Sequence, residues 1–431
     1  MGMQSTEELS LFKITGRPAR VCQPCAKLTR MLTPPTPDFR SAAFLKQHAL
    51  WTQSFYEDQS VDPSGGMYHF YLDDGRVYNA TTRHLVSATR FVITNAIAFE
   101  LSGEAKFKER AVHALRFVET AFYDATHEGY HWTISWKDGQ ATPLDQTRHM
   151  YGLAFVMLAA AKAVQIGIAG AQALLERTFA LAERRFYDAA AGLYADDASA
   201  DWTVSGYRGQ NANMHTCEAL ITAFAATKDA RYIARAESIA HHITVRQAAL
   251  CGGGIWEHYS ADWKPDLEYN LHDSTNIFRP WGFQPGHFTE WAKLLCLLDT
   301  HLHADWHLPR ARELFDRALA VAWDAKNGGI HYGFGLDESI CDAAKYHWVQ
   351  AESMSAAAFL ALRTGDAKYW VWYDRLWQYC WQHFVDHQQG AWFRILTADN
   401  FNLTREKSPA GKTDYHNIGA CYDVYNALNP A

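Results

Sequence analysis

One motif recurs six times along this chain of 431 residues: an aromatic residue, usually followed by Asp, and then a glycine-centred turn that ends in another aromatic residue. The central glycines are spaced by 63, 63, 62, 75 and 61 residues, and they are Gly66, Gly129, Gly192, Gly254, Gly329 and Gly390. Such a regular period is typical of one supersecondary unit repeated in a stacked or closed array. A fold built from six similar units is therefore predicted.

The segments between the glycines have helical periodicity. Residues 81–101 carry apolar side chains at three- and four-residue steps, and Ser102-Gly103 follows as a helix end signal. Six helical hairpins can bury their apolar stripes in a toroid of inner helices wrapped by outer helices. We predict an all-α (α/α)6 barrel with short hairpins or loops at one end. A straight solenoid has the same period and stays an alternative.

The unbroken repeat predicts a single barrel domain over residues 39–431. Residues 1–38 are polar and end in a proline-rich stretch, so we expect a poorly ordered extension outside the barrel.

Charge and hydropathy exclude several classes of function. The net charge is −7 and Lys and Arg form no cluster, which argues against a nucleic-acid partner. No apolar run approaches the roughly 18 residues that span a bilayer, and the N-terminus has no charged-then-apolar leader. We expect a cytoplasmic protein without membrane association, present as a monomer or homodimer.

Polar residues interrupt the predicted inner helices in register with the repeat, beginning 17 to 33 residues after each glycine. The six clusters are Arg83-His84, 148–151 (Arg-His-Met-Tyr), 211–215 (Asn-Ala-Asn-Met-His) with Glu218, His287 with Glu290, 347–352 (His-Trp-Val-Gln-Ala-Glu) and 414–417 (Asp-Tyr-His-Asn). Equivalent positions of six repeats occupy the same end of a toroid. We therefore expect these groups to converge on one cavity along its axis.

Two of these clusters have the form His-x-x-Glu, which places both side chains on one helix face. They are His215/Glu218 and His287/Glu290. A carboxylate near an imidazole holds its tautomer and raises its basicity, which suits a general base near neutral pH. For either histidine alone, a hydrogen-bonded core residue is the alternative.

Two arginines at the first predicted inner helix, Arg83 and Arg90, lie seven residues apart. An arginine at the opening of an inner helix can stabilise an oxyanion in a water-poor cavity, and the other can be a surface charge. We predict Arg83 as the functional arginine.

At these residues the chain resembles the N-acylglucosamine 2-epimerase superfamily. The matching segments follow the family's order and are 149–152 (His-Met-Tyr-Gly), 211–215, 285–291 (Pro-Gly-His-Phe-Thr-Glu-Trp), 348–352 and 412–417 (Lys-Thr-Asp-Tyr-His-Asn). Segments 82–91 and 278–282 look most like the aldose–ketose isomerase branch, which includes the D-mannose isomerases. The resemblance implies an (α/α)6 barrel that interconverts D-mannose and D-fructose, and D-lyxose and D-xylulose, through a cis-enediolate. It implies no metal and no cofactor.

The resemblance also implies roles for individual residues. His287 and His416 would be the catalytic acid–base pair on opposite sides of the open-chain sugar. Arg83 would stabilise the enediolate, and Glu290 would orient His287. The substrate-binding residues would be Tyr151, Asn211, His215, Glu218, Trp348, Gln350 and Glu352.

Other functions remain open from the residues alone. The same two histidines suit a sugar 2-epimerase, because only the carbon that receives the proton differs. An inverting glycosidase would need two carboxylates roughly 6.5–9.5 Å apart, whereas the clusters are richer in His and Arg. A metalloenzyme is a further alternative, because the His-x-x-Glu pairs resemble carboxylate-bridged ligand sets. A sugar-binding protein without catalysis gives no reason for six polar clusters at one end.

Overall fold

The predicted repeat is present in the computed structural model, which describes residues 36–57, 59–273, 276 and 278–429. The helices of this part of the chain are α1 (Ala42–Ser54), α2 (Leu85–Ser102), α3 (Ala105–Phe117), α4 (Met150–Gln165), α5 (Ala171–Arg185), α6 (Gln210–Thr227), α7 (Ala230–His241), α8 (Pro285–Leu302), α9 (His307–Ala322), α10 (His347–Thr364), α11 (Ala367–His383) and α12 (Tyr415–Leu428). Single π-helical turns, Val118–Phe122 and His242–Gln247, extend α3 and α7.

The even-numbered helices form a closed ring. Helix α2 packs against α4, α4 against α6, α6 against α8, α8 against α10 and α10 against α12, and α12 returns to α2. An odd-numbered helix backs each of them on the outside, and α1 backs α12. The first and last helices thus complete the sixth hairpin. This closure confirms the (α/α)6 barrel and excludes the straight solenoid.

Short strands gather where the inner helices begin. They are β1 (Phe70–Leu72), β2 (Val77–Asn79), β3 (Thr82–His84), β4 (Tyr123–Asp124), β5 (Gly129–Tyr130), β6 (Thr133–Lys137), β7 (Gln140–Asp145), β8 (Arg148–His149), β9 (Tyr187–Asp188), β10 (Leu193–Tyr194), β11 (Asp197–Ala198), β12 (Arg208–Gly209), β13 (His258–Tyr259), β14 (Gly333–Phe334), β15 (Ile340–Asp342), β16 (Lys345–Tyr346), β17 (Ile395–Leu396) and β18 (Glu406–Ser408).

These strands link each repeat to the next. The strand that leads into an inner helix pairs antiparallel with a strand of the following repeat, as β3 does with β6, β8 with β11, β12 with β13 and β16 with β17. Strand β18 returns to β1, so the strand pairing also closes around the barrel.

Helix α2 shows how the sequence sets the boundaries of an inner helix. The His84 imidazole accepts a hydrogen bond from the backbone N–H of Val86, and Gly103 ends the helix in the left-handed conformation at φ 74°. This C-terminal end agrees with the predicted stop. The predicted start at residue 81 is wrong, because Thr82–His84 is strand β3, whose pairing with β6 satisfies the backbone in place of a helical turn.

At two of the anchors, both the backbone conformation and the available space require glycine. Gly66 has φ 68°, and a Cβ there would lie 2.6 Å from the Phe117 ring. Gly329 has φ 81°, and its Cβ would lie 2.4 Å from the Tyr379 ring. Phe117 and Tyr379 belong to outer helices α3 and α11. At these two anchors glycine therefore lets the hairpin approach an aromatic ring of an outer helix.

Residues from Thr36 onward group as one compact unit. The predicted extension over residues 1–38 lies outside the described residues up to residue 35. None of the described helices combines the length and apolar character needed to cross a membrane.

Candidate active site

A cavity of about 370 Å³ lies at the strand end of the barrel and receives side chains from all six inner helices. Those side chains are Val86, Tyr151, Asn211, Ala212, His215, His287, Glu290, Trp348 and His416. The hairpins add further wall residues, among them Trp132, Glu257, Tyr332 and Lys412. The predicted convergence of polar clusters at one end of the toroid is thus present.

His287 is held by the carboxylate of Glu257, and the side-chain amide of Gln210 lies beside the same ring nitrogen. His287 lies in the first turn of α8, and its Nδ1 is 2.9 Å from Glu257 Oε1 and 2.9 Å from Gln210 Nε2. Gln210 Nε2 also donates to Glu257 Oε2, and Trp291 Nε1 donates to Gln210 Oε1. Because a carboxylate only accepts, the Nδ1 of His287 carries the proton that Glu257 binds, and Nε2 keeps a lone pair for a ligand.

The residue that orients His287 is therefore Glu257, and the prediction that Glu290 does so is wrong. Glu257 lies immediately before β13, 30 residues before the histidine it holds. The His-x-x-Glu spacing gave the wrong partner because Glu290, one turn further along α8, contacts neither nitrogen of His287 within hydrogen-bond range.

His416, near the start of α12, has a similar arrangement. Its Nδ1 lies 2.7 Å from Glu352 Oε1, and its Nε2 lies 3.3 Å from an Nη2 atom of Arg90. Burial and the nearby Arg90 guanidinium lower the pKa of His416 well below its usual range. His416 is therefore neutral at neutral pH, with the Nδ1 proton donated to Glu352.

His215 makes the third histidine–carboxylate pair. Its Nδ1 lies 2.9 Å from Glu218 Oε2, and the Tyr415 hydroxyl donates to the other oxygen of that carboxylate at 2.5 Å. Burial lowers the pKa of His215 to about 4, although Glu218 opposes the shift. In this pair the His-x-x-Glu spacing predicted the contact correctly.

The two predicted catalytic histidines both line the cavity. The Trp348 indole lies between them, with ring-centroid distances of 5.1 Å to His287 and 5.7 Å to His416. Residues 129 positions apart in the chain thus face one cavity, as predicted. An aromatic face beside two imidazoles suits the apolar face of a sugar.

Glu290 has no hydrogen-bond partner for either carboxylate oxygen among the described residues. Oε1 lies 3.8 Å from His215 Nδ1, and the side chain is 1 % exposed. Burial, and then the neighbouring Glu352 carboxylate, raise the pKa of Glu290 well above its usual range. The shift favours the protonated carboxyl, which would offer a donor and an acceptor to a ligand in the cavity that Glu290 lines.

The structure does not bring Arg83 to the cavity. The Arg83 guanidinium is buried against Asp62 at 2.5 Å and also donates to the backbone carbonyls of Ala80 and Thr82. Other repeats contain the same type of pair at equivalent positions, namely Arg148–Asp124, Lys345–Asp324 and Lys407–Asp386. Arg83 is therefore part of the scaffold of the repeat, and its assignment to the enediolate is corrected.

Arg90, and not Arg83, is the arginine that contacts a predicted catalytic histidine. Its Nη1 donates to the Gly411 carbonyl at 2.5 Å, and its Nη2 lies 3.4 Å from the Tyr151 hydroxyl and 3.3 Å from His416 Nε2. The guanidinium also lies over the rings of Phe155 and Tyr415. Arg83 lies in strand β3, before helix α2 begins at Leu85, whereas Arg90 lies within the helix. The correct helix start would therefore have pointed to Arg90.

The remaining predicted binding residues divide into two groups. Tyr151, Asn211 and Trp348 line the cavity, and Asn211 Oδ1 has no partner among the described residues. Gln350 does not reach it, because its amide bonds the backbone N–H and carbonyl of Ile330 at 3.0 and 2.9 Å. Glu218 and Glu352 lie behind the histidines that they hold. Sequence reasoning missed Glu257 and Lys412, neither of which has a distinctive spacing.

A closed (α/α)6 barrel with three carboxylate-held imidazoles around an axial cavity defines a class of proteins equipped to transfer protons on a small polar ligand. The N-acylglucosamine 2-epimerase (GlcNAc 2-epimerase) family matches residues 65–420, and the chain belongs to this family.

Two curated relatives and one solved structure are similar over most of the chain. A D-mannose isomerase of Marinomonas mediterranea is 48 % identical over 394 residues, covering 91 % of this chain and 99 % of that protein. A D-mannose isomerase of Thermobifida fusca is 37 % identical over 66 % of this chain and 70 % of its own length. A crystal structure of D-mannose isomerase superposes with a TM-score of 0.88 at 48 % identity, covering 90 % of this chain and 99 % of the other.

Proposed function

We propose that the protein is a sugar isomerase that interconverts D-mannose and D-fructose, without a metal ion, through a cis-enediolate. The observation that carries the proposal is the pair of imidazoles, His287 and His416, that flank Trp348 with each Nδ1 held by a carboxylate. The relatives that are named D-mannose isomerase support the choice of substrate. D-Lyxose and D-xylulose belong to the proposal because lyxose has the configuration of mannose at C2.

The reaction moves two hydrogens. The C1 carbonyl acidifies the proton on C2, one neutral imidazole removes it, and the C2–H electrons form the C1–C2 double bond of the enediolate. Protonation of C1 by the imidazolium and loss of the O2 proton then give the ketose, while O1 becomes a hydroxyl. One hydrogen has moved from C2 to C1 and one from O2 to O1. Each acid–base group contributes roughly 10²–10⁴-fold to such a step.

Arg90 and Glu290 supply the stabilisation of the enediolate in this scheme. A substrate oxygen near His416 Nε2 would also lie near the Arg90 guanidinium, which is 3.3 Å from that nitrogen. The neutral carboxyl of Glu290 offers both a donor and an acceptor, which suits the exchange of the hydroxyl proton between O2 and O1. A preformed cation and donor at a developing oxyanion is commonly a large contribution to catalysis.

The charges around the imidazoles support a mechanism without a metal. Arg90 lies against His416, and the Lys293 ammonium lies 2.5 Å from Glu352 Oε2. Lys293 neutralises Glu352, which a divalent ion held by Glu290, Glu352 and His416 would need as a ligand, and both cations repel such an ion.

A sugar 2-epimerase is the second candidate, and the family match favours it specifically. Delivery of the proton to the opposite face of C2, in place of C1, needs the same two imidazoles on two sides of the sugar. Incubation with D-mannose in deuterated water, followed by NMR, distinguishes the two reactions. Fructose with deuterium at C1 is expected, and glucose as the sole early product would contradict the isomerase proposal.

The role of the imidazoles is tested with His287→Asn and His416→Asn, and the control is a histidine at the end of the helix that carries His287. His303 ends α8 at φ 52° and is exposed, and Asn tolerates this conformation, so His303→Asn is the control. We expect each catalytic variant to lose at least about 100-fold in kcat. Full activity in either variant would contradict the mechanism.

A further inference from the structure

A buried ammonium group lies behind His416, on the side away from the sugar cavity. Lys293 is on α8, six residues after His287, and is 3 % exposed. Its Nζ lies 2.5 Å from Glu352 Oε2 and 3.8 Å from Asp423 Oδ2. Lys293 lines a separate small cavity of about 70 Å³, which His416 and Glu352 also border. Glu352 therefore has one oxygen on the imidazole and the other on the ammonium.

The surroundings of Glu352 make it difficult to keep ionised. Helix α6 contributes Glu218, helix α8 contributes Glu290, and helix α12 contributes Asp423, all acidic, together with His416. Burial raises the pKa of Glu352 to about 7, Lys293 opposes the rise, and Glu218 increases it. Burial acts to lower the pKa of Lys293, but Glu352 and Glu218 hold it above its usual range. The ammonium is thus the contacting cation that favours the charged form of Glu352.

We propose that Lys293 is a positioning residue that keeps Glu352 ionised and thereby fixes the proton of His416 on Nδ1, so that Nε2, which faces Arg90, keeps the lone pair needed to act on the sugar. The role rests on the proposed function, since it assumes that His416 transfers the proton. Lys293 is not among the residues that line the sugar cavity, and its direct link to His416 is the Glu352 carboxylate that both groups contact.

The consequence of losing the ammonium follows from donor and acceptor chemistry. A protonated Glu352 donates to Nδ1 of His416 instead of accepting from it. The imidazole proton must then move to Nε2, where it points toward the N–H groups of Arg90, 3.3 Å away. In that state His416 has no lone pair on the cavity side and cannot act as a base.

The test compares the pH dependence of kcat for D-mannose isomerisation in the wild type, Lys293→Gln and Lys293→Arg. Activity requires the Glu352 carboxylate, so activity is lost as the pH falls through its pKa. Removing an opposite charge within 4 Å raises a carboxyl pKa by about 1–3 units. We expect the acid limb of the Lys293→Gln profile to move upward by that amount, with activity recovered at high pH. Lys293→Arg keeps the charge and should keep the wild-type limb.

Lys162→Gln is the matched control. Lys162 lines the same rear cavity but lies over the Tyr422 ring, 4.3 Å from its centroid, and has no contact with Glu352. Its profile should coincide with that of the wild type, and KM should change little in any of the variants. A Lys293→Gln enzyme that loses activity equally at all pH values would overturn the proposal, because only a packing role would remain.

A double-mutant comparison keeps the test decisive if Lys293→Gln is poorly stable. Adding Lys293→Arg or Lys293→Gln to Glu352→Gln should change kcat by less than about twofold, because the charge through which Lys293 acts has gone. A further large loss would contradict the relay through Glu352. Absence of fructose from the wild-type reaction would instead contradict the proposed function, so the two failures are distinguishable.

Discussion

The same substitution at two arginines separates scaffold from catalysis. Arg83→Lys and Arg90→Lys differ by seven positions in sequence, and both guanidiniums are buried. At Arg83 the repeat itself indicates the outcome, since Lys345 and Lys407 occupy equivalent positions and bind their aspartates at 2.9 Å. At Arg90, a single ammonium cannot reach the Gly411 carbonyl and His416 Nε2 together, as the two arms of the guanidinium do.

Substitutions at Arg83 are expected to lower the unfolding free energy, whereas Arg90→Lys is expected to lower kcat. Arg83→Lys keeps the ion pair with Asp62 and loses the bonds to two backbone carbonyls, so we expect a loss of about 1 kcal/mol in unfolding free energy. Arg83→Met leaves Asp62 buried and unpaired, which costs about 3–5 kcal/mol. Arg90→Lys removes a donor aimed at the enediolate, and loss of one such donor lowers kcat by about 10²–10³-fold.

Two measurements on the same preparations test this assignment: kcat and KM for D-mannose, and thermal unfolding by circular dichroism. We expect Arg83→Lys to keep kcat within about twofold, and Arg83→Met to keep it per folded molecule while Tm falls. Arg90→Lys should lose kcat with little change in Tm. The reasoning is refuted if Arg83→Lys loses activity at unchanged Tm while Arg90→Lys stays active.

Three further outcomes are expected. Glu257→Gln removes the carboxylate that holds the Nδ1 proton of His287, so kcat should fall by about 10²–10⁴-fold with KM nearly constant. A wild-type kcat in this variant would show that Glu257 does not orient His287. Dialysis against EDTA, checked by elemental analysis, should leave mannose isomerisation unchanged, and loss of activity that Mn²⁺ or Co²⁺ restores would contradict the metal-free mechanism. Gly66→Ala places a Cβ 2.6 Å from the Phe117 ring at φ 68°, so the unfolding free energy should fall by more than about 1 kcal/mol, whereas an equal Tm would show that the hairpin can shift.

The period of the glycines was sufficient to predict a repeat of six helical hairpins, because most of the hairpins need glycine at the same point of their turn. Four of the six anchors, Gly66, Gly192, Gly329 and Gly390, adopt a positive φ, which glycine does without strain. Closure itself was an inference from the number of units. The contacts that complete it, α1 with α12 and β1 with β18, join opposite ends of the chain and have no local signature.

The site was predictable where contacts are local and not where they cross the barrel. His215 and Glu218 are one helical turn apart and do pair, so the spacing was informative. His287 is held by a residue 30 positions earlier on a hairpin, and His416 by one 64 positions earlier on α10. These pairings depend on which strand enters which helix, and the sequence pattern does not contain that information.

The repeat also gives a physical criterion for separating scaffold from site. Asn213 and Gln350 are both the fourth residue of an inner helix, and each bonds the backbone N–H and carbonyl of a hairpin residue, Tyr194 and Ile330 respectively. The buried Asp–basic pairs recur in the same way. When a polar residue makes the same hydrogen bonds or ion pair at equivalent positions of several repeats, the fold alone explains its presence. Glu290 has no such bonds among the described residues. A buried carboxyl group without partners costs stability unless a ligand satisfies it, so a functional role explains Glu290 better than the fold does.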